Sequence, residues 1–269
     1  ILNGTSNFIF SKMADEKLSF DTALALAQKE GFAEPDPTFD ISGQDAAQKT
    51  SILATLSFFQ NSSMEKVYFE GIDKISPDDI DYGKQLNFVL KPLSVGMQNK
   101  DQITLGSFPA FVKTDSLLAS IQNENNAVLV NAENVGGTMY SGPGAGAKPT
   151  ANSVLSDVID IARGKIFDYG KFVEQNLSSS FDNFSCDRYL KLQVNDKPGV
   201  VAKISTLLAK NNLSIDNLIQ KELERNNDQI PLVMVLSNSD ETTIQETIKE
   251  LEGLDEVSGS LTHIRILDI

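Results

Sequence analysis

Four carboxylates and one lysine lie close together between positions 34 and 49. The carboxylates belong to Glu34, Asp36, Asp40 and Asp45, and the amine belongs to Lys49. Asp45 and Lys49 are four residues apart, which places them on one face of a helix with the acid nearer the N-terminus, so the two side chains can touch. Carboxylates at a helix start can bind an ammonium group, and a lysine beside them can donate a proton or a hydrogen bond to a reacting oxygen.

The same spacing also fits an ordinary surface ion pair. A solvated pair of this kind contributes only ~0.3–0.5 kcal/mol to stability and performs no chemistry. Judged by spacing alone, the surface pair is the favoured interpretation, and the polar site remains the alternative.

A glycine-rich stretch is the second candidate site. Gly142, Gly144 and Ala147 have the spacing of a dinucleotide-binding turn. That turn requires a following βαβ unit with an acidic residue about 20 positions further on, whereas here one helix leads into a polar segment. We therefore do not expect such a turn, although a glycine loop at a helix start can face a cofactor that another domain supplies.

Helices and short strands must position these groups. After a mixed opening over 1–13, Ser19 as N-cap and Gly31 as terminator predict a helix over 19–29. Apolar residues at helical spacing predict a largely buried helix over 44–59. The remaining elements before residue 170 are predicted strands at 67–69, 88–97, 103–111 and 127–132, and helices near 116–121 and over 152–163. The predicted fold of this part is α+β, a mixed β-sheet covered by helices.

The C-terminal part has a different pattern. Three consecutive serines lie in 176–187, which we predict to be a linker. Strand and helix patterns then alternate in the order βαββαβ, which predicts a ferredoxin-like sandwich over 188–269. Its predicted strands are 189–194, 214–221, 230–236 and 258–266, its helices are 200–209 and 243–251, and its polar turn is 224–229.

Composition limits the class of protein. The 269 residues are 41% hydrophobic and 22% charged, which is typical of a globular chain. The net charge of −14 disfavours nucleic acid and anionic lipid as partners. One cysteine, Cys186, cannot form an intrachain disulfide, and no apolar run approaches the ~20 residues that span a bilayer, so we expect a cytoplasmic protein. Because Ile1 stands where an initiator Met would be, we also expect a piece of a longer chain.

Three stretches, taken together, resemble the motifs of homoserine dehydrogenases. The first is Ile1–Asn7, which is similar to the substrate loop of that family. The second contains Ala27, Gly31, Phe32, Ala33, Asp36, Pro37, Asp40, Ile41, Gly43, Asp45 and Lys49, and the third contains Gly142, Pro143, Gly144, Ala145, Gly146, Pro149, Thr150, Ala151 and Asp157. Phe32 departs from the tyrosine common at its position, so we do not count it as a site residue.

The resemblance implies a reaction and a role for each site residue. The family passes hydride reversibly between a nicotinamide cofactor and aspartate 4-semialdehyde, producing homoserine for the biosynthesis of threonine, methionine and isoleucine. An alkoxide develops as hydride arrives, and a nearby ammonium group stabilises that charge or protonates it. By this resemblance Asp45 and Lys49 lie near the reacting oxygen, Glu34 and Asp40 hold the amino end of the substrate, Asn3, Gly4 and Thr5 supply loop contacts, and Gly142, Gly144, Ala145 and Gly146 face the cofactor.

The resemblance also implies what this chain lacks. Residues 1–175 match the catalytic domain, with a return helix over 150–168, but the N-terminal nucleotide-binding domain of the family is not in the sequence. That domain would bind most of the NAD or NADP and would supply a second catalytic lysine and most of a monovalent-cation site. We therefore expect this chain alone to be inactive.

The sandwich carries a motif of its own. Asp196, Lys197, Pro198, Gly199, Val200 and Ala202 resemble the motif of ACT domains, which bind amino acids. The resemblance implies an effector site, with threonine as the natural effector and a homo-oligomer, dimer or tetramer, as the assembly. Its residues would be Asp196, Gly199, Val200, Ser214, Ile215 and Asn217.

Two alternatives remain open. The sandwich can be a purely structural dimerisation module, in which Pro198 and Gly199 only make a turn. The whole chain can also be an amino-acid sensor without catalysis. We expect no metal site, since His263 has no second histidine or cysteine nearby, and no catalytic thiol at Cys186, which has no adjacent base.

Overall fold

The computed structural model describes residues 1–59, 61–99, 102–165, 178–220 and 229–269. Its helices are α1 (Gly4–Glu16), α2 (Phe20–Glu30), α3 (Thr38–Ile41), α4 (Gln44–Phe58), α5 (Pro77–Gln85), α6 (Ala147–Ala162), α7 (Val200–Lys210) and α8 (Glu241–Glu252), with short 3-10 helices at Met64–Lys66 and Leu117–Ser120. Its strands are β1 (Tyr68–Phe69), β2 (Phe88–Asn99), β3 (Gln102–Lys113), β4 (Asn125–Ala132), β5 (Gly136–Pro143), β6 (Ser178–Ser179), β7 (Cys186–Asn195), β8 (Ile215–Gln220), β9 (Gln229–Ser239) and β10 (Val257–Leu267).

One mixed sheet runs through both predicted parts. Its strand order is β1-β3-β10-β7-β9-β8, and β2 and β6 also pair with β3. The joint between the two parts is the parallel pairing of β10 with β3, in which Arg265 lies opposite Ala110. Strands β4 and β5 form a separate antiparallel hairpin. The α+β class and the βαββαβ order over β7–β10 are both confirmed.

Both faces of the C-terminal sheet are covered. One face packs on α7 and α8 through buried residues such as Leu190, Leu208 and Leu251. The other face contributes Tyr189 and Val235 to a core that it shares with α1, α2 and α5. Because burial of apolar side chains from both parts drives that packing, the sandwich and the N-terminal helices are parts of one folded unit.

The segment predicted as a linker is largely packed. Within 176–187, β6 pairs with β3, and the rings of Phe181 and Phe184 stack at 4.8 Å in a core that includes Phe108. Strand β7 already begins at Cys186. Residues 176 and 177 lie outside the described residues. The linker was predicted from the polar composition of the three serines. The two phenylalanines that follow them bury apolar area, and this burial packs the segment against the rest of the fold.

Local signals explain which helices the sequence revealed. Helix α2 has Ser19 as its N-cap and Gly31, with φ 81°, as its C-cap, as predicted. Helix α1 was not predicted, because it is buried on most sides and has little hydrophobic periodicity. Helix α5 was also missed, although Ser76, Pro77 and Asp79 form a capping box that signals a helix start.

Two helices leave apolar side chains exposed. In α4 the buried residues are small, including Ala47 and Ala54, whereas Ile52 and Leu56 are 59% and 46% exposed and Phe59 at its end is 66% exposed. The prediction of a largely buried α4 was therefore wrong. Helix α6 has no buried residue, and its apolar side chains Val154, Leu155, Val158, Ile159 and Ile161 are 40–76% exposed.

The predicted return helix, 150–168, corresponds to α6, with 166–168 outside the described residues. Likewise, most of the predicted turn at 224–229 is not described. Among the helices of the described ranges, none is long and apolar enough to cross a membrane.

Candidate functional site

Asn3 connects the first helix to the carboxylate cluster. It is the N-cap of α1, and its Oδ1 accepts a hydrogen bond from the Ser6 amide at 2.8 Å. Its Nδ2 donates to Asp40 Oδ1 at 2.7 Å and to Asp45 Oδ2 at 2.8 Å. One buried amide thus bridges two carboxylates that come from different helices, which holds them side by side.

Lys49 completes the cluster. Its Nζ lies 2.7 Å from Asp45 Oδ2 and donates to the carbonyl oxygen of Leu2 at 3.2 Å. The lysine side chain remains 47% exposed, whereas that of Asp45 is 18% exposed. The ammonium group is therefore oriented by the protein and still accessible to a ligand. This arrangement goes beyond an isolated surface pair, because Asn3 and Leu2 hold the same two groups.

The chain between α3 and α4 sets the spacing of the carboxylates. Asp40 lies in α3 and Asp45 in the first turn of α4, where the helix dipole favours a negative charge. Gly43 joins them with φ 84°, and a Cβ built on it would lie 2.6 Å from the Glu70 carbonyl oxygen. Only glycine fits both the conformation and the contact.

Other predicted residues support this cluster from outside. Thr5 Oγ1 donates to the carbonyl oxygen of Phe32 at 2.6 Å, which ties α1 to the end of α2. A Cβ built on Gly4 would lie 2.6 Å from the Glu124 carbonyl oxygen, so Gly4 allows a close approach of two backbones. Both residues therefore shape the predicted substrate loop, Ile1–Asn7.

Glu34 does not join the cluster. Its side chain is exposed, and its carbonyl oxygen accepts a hydrogen bond from Gln28 Nε2 at 3.2 Å. Asp36 has a local role, because its Oδ1 accepts from the Thr38 hydroxyl at 2.6 Å and that bond lowers the pKa of Asp36. The structure therefore groups Asn3, Asp40, Asp45 and Lys49 and leaves Glu34 outside their hydrogen bonds.

The glycine loop approaches the same cluster. Gly142 is in β5, Gly144 and Ala145 are exposed, and Gly146 precedes α6 with φ 115°. A Cβ built on Gly144 would overlap the Asn126 amide, at 2.0 Å from Nδ2.

Asn126 is a site residue that the sequence did not reveal, whereas Leu2 lies in the predicted substrate loop Ile1–Asn7. Asn126 Nδ2 donates at 3.3 Å to the Leu2 carbonyl that also accepts from Lys49. Its Oδ1 is buried and has no hydrogen-bond partner in the described part of the chain. Asn126 carries no sequence signal, since it is one asparagine of several in a polar strand.

The predicted effector residues lie at two ends of the sandwich. Gly199, with φ 95°, and the buried Val200 start α7 just after the end of β7, next to the exposed Asp196. Ser214, Ile215 and Asn217 lie at the start of β8, where Ile215 pairs with Leu236 and Leu236 with Arg188. From Arg188 to the end of β7 the strand rises ~23 Å at ~3.3 Å per residue. One copy of the chain therefore does not bring the two groups together.

The remaining candidates have structural environments. No group of His, Cys, Asp and Glu side chains within the described ranges has the arrangement of a metal site. Burial raises the pKa of the Cys186 thiol, so this cysteine is not an activated nucleophile. Burial, with the nearby charges of Arg265 and Arg188, lowers the pKa of His263 well below its usual value.

The fold and the site together define a class: an α+β protein with a carboxylate and lysine cluster on its N-terminal helices and a ferredoxin-like sandwich in its C-terminal part, joined by one mixed sheet. The family model "Homoserine dehydrogenase" matches residues 1–159, and the model "ACT domain" matches residues 188–256. The chain belongs to the homoserine dehydrogenase family and carries an ACT domain.

Curated relatives agree with this assignment. The chain is 37% identical to a homoserine dehydrogenase of Pseudomonas aeruginosa and 38% identical to one of Helicobacter pylori, with 99% of the chain covered in both comparisons. It covers 64% and 63% of those proteins, so it spans a little under two thirds of their length.

Solved structures are similar over the whole chain. The crystal structure of a homoserine dehydrogenase from Thiobacillus denitrificans matches with a TM-score of 0.89 and 35% identity, covering 100% of this chain and 63% of that one. A homoserine dehydrogenase of S. aureus matches with a TM-score of 0.73 and 29% identity, again covering 100% and 63%. The family is thus that of an oxidoreductase.

Proposed function

We propose that this chain forms the substrate-binding and regulatory part of an enzyme that interconverts aspartate 4-semialdehyde and homoserine. The observation that carries the proposal is the cluster in which Asn3 bridges Asp40 and Asp45 while Lys49 contacts Asp45. A zwitterionic aldehyde needs an anionic partner for its ammonium group and a cation near its carbonyl oxygen, and the cluster offers both.

Each residue then has a distinct role. Asp40, which faces Asn3 at the edge of the cluster, binds the substrate ammonium group. Lys49 donates a hydrogen bond or a proton to the oxygen on which negative charge develops. Asp45 and the Leu2 carbonyl orient the Lys49 amine at 2.7 and 3.2 Å, so less entropy is lost when the oxygen arrives. Glu34 is exposed and lies outside the hydrogen bonds of the cluster, so we assign it no role in binding the ammonium group.

The glycine loop fits a nucleotide partner. Gly144–Gly146 is exposed and leads into α6, whose first turn has no side-chain cap, so its backbone amides are available to an anionic group. We propose that NAD or NADP, bound mainly by sequence outside these 269 residues, supplies the hydride. Gly142, Gly144, Ala145 and Gly146 would line its near side.

The exposed face of α6 fits the same proposal. Val154, Leu155, Val158 and Ile159 leave an apolar stripe uncovered on a helix without a buried residue. More than a third of the length of each relative lies outside the match, and a nucleotide-binding part in that unmatched length would cover the stripe. The isolated chain would then bind no cofactor and would be inactive.

The test is a substrate comparison with the full-length protein that carries this sequence. Aspartate 4-semialdehyde should be reduced with NADPH or NADH, and succinic semialdehyde, which lacks the amino group, should be reduced at least 100-fold more slowly by kcat/KM. Equal rates would remove Asp40 from recognition. No turnover of aspartate 4-semialdehyde with either cofactor would refute the proposed function.

Regulation by an amino acid is the second proposed function. Because the residues around Gly199 and around Ile215 lie at opposite ends of the sandwich, a pocket built from both requires two copies of the chain. Titration of the protein with threonine, isoleucine and methionine should show binding only at concentrations where it is a dimer or larger. Binding to a monomer would contradict this arrangement, and an absence of binding would leave the sandwich a structural module.

A further inference from the structure

A buried arginine of the sandwich connects it to the carboxylate and lysine cluster. Arg265, on β10, has a fully buried side chain. Its Nη1 and Nη2 donate to the two carboxylate oxygens of Glu70, both at 3.0 Å, and its Nε and Nη2 donate to Glu241 at 3.1 and 2.6 Å. The guanidinium group therefore joins α8 of the sandwich to the residue that follows β1.

Aromatic rings hold the guanidinium group in place. Its central carbon lies 4.9 Å from the ring centre of Tyr68, 4.5 Å from that of Phe108 and 5.2 Å from that of Phe181. The Tyr68 hydroxyl also donates to the Glu70 carboxylate. Paired with two carboxylates and packed between rings, Arg265 holds Glu70 in one position.

Glu70 and its neighbours support the turn between α3 and α4. The Glu70 carbonyl oxygen lies against Gly43, where a Cβ would be 2.6 Å away. A Cβ on Gly71 would lie 3.0 Å from the Ile41 carbonyl oxygen, to which the Ile72 amide donates at 2.9 Å. Residues 70–72 therefore pack against residues 41–43. Residues 41–43 belong to the turn that separates Asp40 from Asp45.

We propose that Arg265 and Glu70 are positioning residues for the catalytic cluster. By fixing residues 70–72, the ion pair fixes the turn at Gly43, and the turn sets the distance between Asp40 and the helix that carries Lys49. The kinetic part of this inference rests on the proposed function, whereas the structural part does not. It also gives the sandwich a route to the site, because Glu241 at the start of α8 shares the same arginine.

Arg188 provides a matched control. Its side chain is also fully buried and binds Glu241 at 2.9 Å, but its other donors go to Ser239 and to the Phe184 carbonyl oxygen. It does not contact Glu70. Arg188→Lys therefore disturbs the same buried carboxylate while leaving the contact with the turn intact.

The experiment compares Glu70→Gln, Arg265→Lys and Arg188→Lys by hydrogen exchange on the chain described here. Glu70→Gln and Arg265→Lys should speed amide exchange in residues 41–48 at least fivefold, while Arg188→Lys should keep these amides within twofold of wild type. Equal exchange in all three variants would overturn the positioning role. Because this readout needs no turnover, it decides the structural inference even if the proposed function fails.

Kinetics of the full-length protein give the second readout. Glu70→Gln and Arg265→Lys should each lower kcat about tenfold and change KM for the semialdehyde less than twofold, and the double variant should be no slower than either single variant. Fully additive losses, or an unchanged kcat in an active enzyme, would overturn the inference. If the wild-type protein reduces no semialdehyde, the proposed function fails instead.

Discussion

The side-chain amide of Asn3 donates to the Asp45 carboxylate at 2.8 Å while its oxygen caps α1. This contact joins the start of α1 to the start of α4 across 42 positions of the chain. Because the same Nδ2 also reaches Asp40, the two carboxylates are held near each other despite their mutual repulsion. Asn3 therefore links the two carboxylates of the polar site.

Replacing Asn3 should therefore cost more than the loss of a cap. Asn3→Asp keeps an oxygen for the Ser6 amide but removes both donated hydrogen bonds and adds a third negative charge. We expect a loss of at least ~3 kcal/mol in the free energy of unfolding, since each of the two hydrogen bonds to a charged group contributes ~1.5–3 kcal/mol. Urea denaturation at pH 7 measures it. Ser19→Ala, which removes the cap of α2 and an exposed hydrogen bond to the Thr22 hydroxyl, is the control at ~1 kcal/mol, and an Asn3→Asp loss no larger than this would contradict the bridging role.

Gly43 should tolerate alanine much less well than Gly31. Both have a positive φ, 84° and 81°, but a Cβ on Gly31 would meet nothing within 4 Å, whereas one on Gly43 would press on the Glu70 carbonyl. We expect Gly31→Ala to cost ~1–2 kcal/mol from its left-handed conformation alone, and Gly43→Ala to cost at least that much again. Thermal or urea unfolding of both variants measures the difference, and equal losses would show that the contact is not tight.

Lys91 should destabilise the fold at neutral pH. Burial lowers the pKa of Lys91 from 10.5 to about 8, although the charge of Asp15 opposes this shift. The folded chain therefore binds this proton less tightly than the unfolded chain, so stability should rise as the pH increases from about 8 to 10.5. Lys91→Met should remove that rise and gain up to ~3 kcal/mol at pH 7.

The Ile121 carbonyl that accepts from Lys91 keeps a second donor, Asn7 Nδ2 at 3.2 Å. No unsatisfied group should therefore offset the gain in Lys91→Met. Lys29→Met, on the exposed surface of α2, is the control with a change of ~0.5 kcal/mol or less. Denaturation at several pH values between 7 and 10.5 measures the free energy of unfolding. If this free energy rose equally with pH in wild type and in Lys91→Met, the prediction would be contradicted.

Glu241 should matter most at neutral pH. Burial alone would raise the pKa of Glu241, but Arg265 and Arg188 outweigh it and lower the pKa below 4.5. A carboxylate with a lowered pKa stabilises the fold above its unfolded pKa, and this contribution is lost as the pH falls through the folded pKa. Glu241→Gln should therefore cost ~3–5 kcal/mol at pH 7, the usual cost of breaking a buried pair.

That penalty should shrink below pH 4.5, because wild type then loses the same interaction. Urea denaturation between pH 7 and pH 3 measures the trend. Glu250→Gln, which removes an exposed partner of Lys210 at 3.4 Å, should cost less than ~1 kcal/mol throughout. A Glu241→Gln penalty that is the same at both ends of the pH range would contradict the assignment.

Local spacing predicted the parts of the site that lie within one element. Asp45 and Lys49 meet because they are four apart on α4, and Gly31 ends α2 as its position suggested. The βαββαβ order followed from the alternation of short strands and amphipathic helices. These features depend on residues that are close in sequence, so they can be predicted from local spacing.

Long-range contacts were beyond this reasoning. Asn3 lies 37 positions from Asp40, and Arg265 lies 195 positions from Glu70, so no spacing rule links them. Glu34 was grouped with the cluster because it is near in sequence, but the loop turns its side chain to solvent. The exposed apolar residues of α4 misled the prediction of burial, since periodicity reports an apolar face without showing what covers it.

The most direct test of the central claim is kcat for Lys49→Ala in the full-length protein. Lys12→Ala is the matched control, because Lys12 forms a similar i,i+4 pair with Glu16 at 2.9 Å on α1. Neither change should cost more than ~1 kcal/mol of stability. We predict that Lys49→Ala lowers kcat at least ~100-fold, the usual contribution of a positioned proton donor, while Lys12→Ala stays within twofold of wild type. A kcat for Lys49→Ala equal to that of Lys12→Ala would contradict the role of Lys49 in the reaction.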